Sequence, residues 1–426
     1  MLQDPAPVAK PAGVTEPSAG TSAAGMSDGR PTDGRTGGGG VPSRRQTVAA
    51  LALGSVALLI LGLQPLLLGE LVAHERISLG GVGLVAMGEI IALGIGVILA
   101  NTFLSPARLS AVATVAAVLH SVLDLLTMRL DGDIEFLVMR AAAGLSAGVL
   151  VWVATSVIVR TAAPDRMAAV YLVSQTLVQA SVAALLATVI VPSAGWPGGF
   201  AVLAVLSGAV VLLAPALRPG LTTLTNSGSG LPPRSAATAV TFGVVLTQMG
   251  AIGSLWAYLE PLGRDIGLTG TQVGTLISAV LVLQVLGGSA AAWLVRRLGA
   301  TAILIGASAL LASLAFGLHL QPPAWLFCVA CGLFGFVWLF LMPFQVRLAF
   351  AADPTGRVAV LVPALQLLGS AFGPLITSFF VTDDDARPVP LVCAGLALVA
   401  SCLLVVGARR FGKNGPLQQH PSGEKS

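Results

Sequence analysis

Two charged residues stand deep inside apolar stretches of this sequence, Glu89 and Arg140, and His120 and Asp124 sit four apart near the end of another. An ionised carboxylate in hydrocarbon costs a few kcal/mol, on the order of 3 or more, so it must protonate, pair or face water. Glu89 lies mid-stretch, with Ala86, Ala92 and Gly96 on its helical face. It reads as a carboxylate that takes and releases a proton in each working cycle; the alternative is a fixed bond that ties helices together. Arg140 cannot usefully deprotonate. It suits an anionic solute, or exchange of partners with Glu89 as the proton moves; the alternative is a static pair with Asp124 or Glu89. His120 and Asp124 share a helical face. Asp124 falls within roughly 6 Å of the helix end by helical rise, which favours an interfacial pair over a relay. Glu70 and Glu260 close two further apolar stretches, either as a gate or as exposed acids at helix ends.

Other chemistries find no residues to carry them. Cys328-Val-Ala-Cys331 is a C-x-x-C inside an apolar helix, where packing of small residues explains it better than redox or metal chemistry. The His residues (His74, His120, His319, His420) are dispersed, so no metal site is expected. No G-x-x-x-x-G-K-[ST] loop is present, so nucleotide hydrolysis has no cradle. No cofactor is expected, and the chain is not expected to be an enzyme, because no nucleophile or metal set clusters in the apolar stretches.

The elements that position these residues follow from composition. The chain has 426 residues, 55% hydrophobic and only 10% charged, against about 25% in a soluble domain. That excludes a water-soluble enzyme, a disordered chain and a disulfide scaffold. Apolar stretches of the length that crosses a bilayer are predicted at 47–69, 79–100, 108–128, 134–159, 167–191, 197–217, 237–258, 270–294, 300–319, 323–346, 358–381 and 388–408. Continuous apolarity without alternation means helices rather than a barrel. The expected organisation is a disordered cytoplasmic tail (1–44), a six-helix bundle (45–217), a Gly/Pro-rich linker (218–235), a second six-helix bundle (236–410) and a cytoplasmic tail (411–426). Ser43-Arg44-Arg45 resembles an export signal, but a basic flank of the first span is the simpler account.

Lys and Arg orient the chain. With the N-terminus inside, most of the 23 basic residues fall inside; only Arg76, Arg129, Arg264 and Arg387 lie outside, and Arg140 lies within a span. Both termini are therefore expected in the cytoplasm. The net charge of +4 is a topology signal and no sign of nucleic acid. An Ala/Gly/Arg-rich composition suits a high-GC bacterium, hence its cytoplasmic (inner) membrane. The halves also repeat: Ile77–Gly83 matches Ile266–Gly274, and an offset of about 191 residues carries Gly144 onto Gly335 and Arg166 onto Arg357. Parallel six-span repeats around a midplane site are a transporter architecture.

From about residue 45 to 410 the chain resembles the major facilitator superfamily. Arg140-Ala-Ala-Ala-Gly144-Leu-Ser-Ala-Gly148 is similar to that family's Arg-x-x-x-Gly-x-x-x-Gly motif in span four, and Pro164-Asp165-Arg166 to its following loop. Pro343, the loop Asp353-Pro-Thr-Gly-Arg357 and Gly369-Ser-Ala-Phe-Gly373-Pro374 match in the second half. The family's loop between spans two and three reads Gly-x-x-x-Asp-Arg-x-Gly-Arg-Arg. Here Gly96 to Arg108 lacks the Asp and most of the basic cluster, and the second copy keeps Arg296-Arg297 without the acid. Span five lacks the Gly-x-x-x-Gly-Pro signature of drug antiporters, which argues against drug export.

The resemblance implies an all-α membrane protein of twelve transmembrane helices in two pseudo-symmetric bundles. It implies a secondary active transporter working by alternating access, coupled to protons through Glu89 and Arg140, with a small organic molecule as substrate. It also implies a cavity lined by spans one, four, seven and ten, helped by two, five, eight and eleven. Gln64, Gln175, Gln179, Gln248, Gln284, Gln345 and Gln366 all sit on such spans, with Tyr258 as an aromatic wall. Each of these glutamines serves equally well as interhelical packing. Glu70 and Glu260 would form the outer gate. The chain is expected to act as a monomer whose partners are solute, protons and lipid. The alternative is a receptor or assembly subunit that keeps the fold without transporting.

Overall fold

A computed structural model describes residues 42–217, 233–382 and 385–411. Most of the two terminal tails and of the linker anticipated from sequence lies outside these residues; the first helix already begins at Arg44, inside the stretch read as tail. Among them the chain is helical apart from short turns and one isolated bridge between Thr382 and Asp385. Eleven stretches are long and apolar enough to cross a bilayer. One of these, Arg166–Ala216, runs to 51 residues, about two and a half times what a 30 Å core needs. It holds two spans, because Gly195 (φ 62°, ψ −167°) breaks the helix.

Span one is a helix pair, Arg44–Ala57 and Leu59–Ala73. Spans two to five are Leu79–Phe103, Leu109–Thr127, Asp133–Ile158 and Pro164–Leu185, the last continuing helically up to Gly195, and span six is the part of Val191–Ala209 that follows Gly195. Span seven is Ala236–Ala257, extended by a short helix Leu259–Asp265. Spans eight to twelve are Gly270–Leu294, Ala300–His319, Ala324–Ala352, Arg357–Ser378 and Pro388–Phe411. Because spans alternate in direction, the turns bearing Arg108, Arg160, Arg297 and Arg357 share one face, called the basic face below. Arg76, Arg129, Arg264 and Arg387 lie on the opposite face.

Local chemistry sets several helix starts. Ser78 caps span two, and its backbone N–H and hydroxyl both donate to Asp133 at the start of span four (2.7 and 2.6 Å). The loop Asp353–Arg357 is likewise a helix entry. Asp353 accepts from the Thr355 hydroxyl (2.6 Å), Thr355 N (3.1 Å) and Val358 N (3.3 Å), and Gly356 adopts the left-handed φ of +82° that the turn needs. The Thr355 hydroxyl and the span-eleven amides hold the Asp353 carboxyl below its usual range. Its stabilisation is therefore present at neutral pH and is lost only as pH falls through that depressed value.

Span two packs on span four, and span eight on span ten, through matching contacts. A Cβ on Gly144 would lie 2.3 Å from the Glu89 carbonyl oxygen; one on Gly335 would lie 2.8 Å from the carbonyl oxygen of Val280. Both pairs differ by the 191-residue offset, so the sequence repeat is a repeat of backbone contact. Gly144→Ala is expected to cost about 1–3 kcal/mol by overpacking, seen as a lower melting temperature in detergent. Gly306→Ala, whose added methyl meets nothing within 4 Å, should leave melting unchanged or raise it.

Candidate functional site

The Gly144 contact brings span four's Arg140 directly onto span two's Glu89. The guanidinium Nη2 donates to Glu89 Oε1, while Nη1 donates to Asp124 Oδ1 of span three at 2.7 Å. All three groups are buried: Glu89 and Arg140 are 1% exposed and Asp124 is 0%. Phe200 of span six closes the cluster, its ring centroid 5.5 Å from the guanidinium carbon, and Ser207 lies 3.5 Å from Asp124 Oδ2. His120 Nε2 is 3.8 Å from Asp124 Oδ2. Its Nδ1 lies 2.9 Å from the Ser146 hydroxyl and 3.1 Å from Ala143 O. Ser146 spends its own proton on Ala143 O (2.7 Å), so its oxygen is free to accept from His120 Nδ1–H.

This placement departs from the interfacial reading of Asp124. Helical rise puts Asp124 near the end of its span, but span three meets spans four and six at that level, and their side chains cover it completely. His120 and Asp124 are thus part of the charged interior. The i, i+4 spacing was the available sequence signal for Asp124; nothing in the sequence pointed to Phe200, Ser146 or Ser207.

The charges do not balance. Two carboxylates share one guanidinium that stays protonated, leaving one negative charge when both acids are ionised and none when one is protonated. Enclosed among spans two, three, four and six, the cluster is closed to a bulky solute.

The polar residues divide into two sets. Gln366 Nε2 donates to Gln345 Oε1 (2.7 Å), and Gln345 Nε2 to Gln248 Oε1 (2.9 Å). Gln248 Nε2 in turn reaches Ser308 Oγ (2.8 Å), giving a chain across spans eleven, ten, seven and nine. Gln248 and Gln345 are 0% exposed, so only half-buried Gln366 ends the chain near accessible space. By contrast Gln64 Nε2, Gln175 Oε1, Gln284 Nε2 and the hydroxyls of Tyr171 and Tyr258 are buried without hydrogen-bond partners. Tyr258 lies against Gly83 of span two.

Span one is bound from both sides at its midpoint. Its ladder loosens at Leu58, whose carbonyl accepts from Gln179 Nε2 of span five (2.6 Å). Pro65 has no N–H, so the carbonyl of Leu61 loses its helical donor; Trp256 Nε1 of span seven supplies one at 2.8 Å. This bond crosses between the two six-span halves.

On the opposite face, Arg264 joins the two acids anticipated as a gate. It donates to Glu260 through Nε and to Glu70 of span one through Nη2 at 2.6 Å. Glu70 is 4% exposed and Glu260 is 0%, so neither is a loose surface acid. Arg264 stands four residues beyond Glu260 in the same short helix, so that pair had an i, i+4 signal in the sequence, whereas its reach to Glu70 of span one had none. The cysteines are free, and no group of three His, Cys, Asp or Glu residues suited to a metal occurs among the described residues.

No family model and no curated protein matches the sequence. Solved structures match the fold. The nucleoside transporter NupG superposes with a TM-score of 0.69 at 11% identity, over 85% of this chain and 99% of that one. A bacterial homolog of the human lysosomal transporter Spinster matches in two inward-facing forms. The unoccupied form gives a TM-score of 0.61 at 13% identity, over 89% of this chain and 100% of that one. The occupied form gives 0.58 at 14% identity, over 89% and 98%. At these identities the likeness is one of architecture, and it agrees with the paired six-span repeat: this chain has the fold of the major facilitator superfamily.

Proposed function

We propose that the chain is a secondary active transporter that moves a small organic solute by alternating access and is driven by the proton gradient. The buried Glu89–Arg140–Asp124 cluster carries this reading. It is one proton short of neutrality in a medium that penalises net charge, and it is walled off from any solute. Glu89 is the proton carrier, Arg140 its exchangeable partner and Asp124 the second acceptor. The unpartnered Gln64, Gln175, Gln284 and Tyr258 offer hydrogen bonds to a solute, joined by Gln179 and Gln366. Gln248 and Gln345 support Gln366 from behind. Glu70, Glu260 and Arg264 act as the outer gate.

An uncharged solute suits the site best. Arg140 is occupied by two carboxylates, and the charged side chains of the last six spans sit near helix ends. NupG, by its name a nucleoside transporter, handles a solute of this uncharged class. The excess of arginine on the basic face supports a multi-pass protein of the cytoplasmic membrane with both termini inside.

Metabolite levels inside and outside cells, with and without the gene and with and without an uncoupler, test the proposal. A solute redistributed by the gene only while the gradient is intact is the expected result. Redistribution that survives the uncoupler would make the chain a facilitator. If no solute changes at all, the receptor or assembly reading replaces transport.

A further inference from the structure

A groove of about 750 Å³ runs between spans three and four on the lipid-facing surface, and the transport reading makes no use of it. Span three contributes a stripe of residues from Arg108 through Val112, Val115 and Leu119 to Leu123. At 1.5 Å per residue this stripe is about 22 Å long, more than the roughly 15 Å thickness of one hydrocarbon leaflet. Small side chains on both helices, among them Ala116 and Ala142, keep it open.

Its mouth lies on the basic face and is cationic. Arg108 is exposed and has no carboxylate partner among the described residues. Two other arginines on that face are engaged within the protein. Arg347 donates to the carbonyls of Val295 and Leu298, and Arg297 stacks 4.4 Å over Trp293. No acidic residue stands between Gly96 and Arg108 in the sequence. At the groove's inner wall, Ser146 holds His120, which borders the charge cluster.

We propose that this groove binds an anionic phospholipid, with the phosphate against Arg108 and one acyl chain along the span-three stripe. Charge complementarity selects the headgroup, since a basic pocket between helices at the arginine-rich face meets the anionic leaflet. The apolar groove, continuous from headgroup level into the bilayer, selects a lipid over a free anion. The bound chain packs one hydrogen bond away from His120, beside Asp124. This inference requires the membrane orientation and is independent of transport.

The test reconstitutes the full chain in vesicles of equal parts phosphatidylglycerol and phosphatidylcholine, then weighs the retained lipid by native mass spectrometry. The wild type should keep phosphatidylglycerol preferentially. Arg108→Gln should reduce that preference about fivefold, the effect of one cation at the membrane surface. Ala142→Phe should fill the groove and lower retention of both lipids, whereas Arg297→Gln should leave retention unchanged. Wild type without a preference, or Arg108→Gln with the preference intact, overturns the proposal. So does displacement of the lipid by soluble glycerol phosphate, which would mark a free-anion site. Arg108 is exposed, so its variant remains informative even if Ala142→Phe fails to fold.

Discussion

Glu89→Gln is expected to abolish uphill accumulation of the solute and to leave solute-for-solute exchange running. The amide keeps the size and one hydrogen-bond acceptor of the carboxylate, so the contact with Arg140 survives in neutral form. What it cannot do is gain or lose a proton. The cluster then holds Arg140 against Asp124 alone, fixed at zero net charge, and the alternation between charged and neutral states on which the proposed coupling rests is gone. In vesicles with an imposed pH gradient, accumulation should fall to the no-gradient level, while counterflow at equal pH stays within about twofold of wild type. Accumulation equal to that of the wild type would remove Glu89 from coupling. Asp124→Asn separates the roles further: if both variants uncouple, the two acids work as one proton site.

Arg140→Met destabilises the protein by about 3–5 kcal/mol, the largest stability effect expected here. Removing the guanidinium leaves two carboxylates buried without a counter-charge, at positions no more than 1% exposed. Met retains much of the side-chain volume against Phe200, so the loss is electrostatic rather than a cavity. Replacing all three groups, Arg140→Met with Glu89→Leu and Asp124→Leu, should recover most of the melting temperature while transport stays absent. A buried ion cluster is often no more stabilising than an apolar replacement, which makes this recovery the informative arm. An Arg140→Met protein that melts within about 1 kcal/mol of wild type would mean that the acids are already neutral in the resting state.

The spans were legible in the sequence because apolarity over 20 residues is a local property that the bilayer enforces. The stretches read at 79–100, 270–294 and 300–319 coincide with helices Leu79–Phe103, Gly270–Leu294 and Ala300–His319 to within three residues. Spans five and six needed Gly195 to separate them, and its positive φ does so. The repeat was legible too, since Gly144 and Gly335 make the same backbone contact in each half.

The membership of the charge cluster was only half legible. Glu89 and Arg140 announced themselves as charges in apolar surroundings. Asp124 was read only as an alternative partner of Arg140 near the helix end, because distance along one helix gives depth but not what the neighbouring helices cover. The seven glutamines read as one cavity set, yet the structure distinguishes those that bond one another from those left unpartnered.

By itself, then, the sequence determined a twelve-span membrane chain of paired halves and the two intramembrane charges. Only the tertiary structure decided that Arg140 is shared by two acids, that Arg264 bridges Glu70 and Glu260, and that Trp256 takes the carbonyl freed by Pro65. The physical reason is the same in each case. Hydropathy fixes where a helix crosses the bilayer, but its tilt and rotation are set by packing against other helices, and those two angles choose which side chains meet.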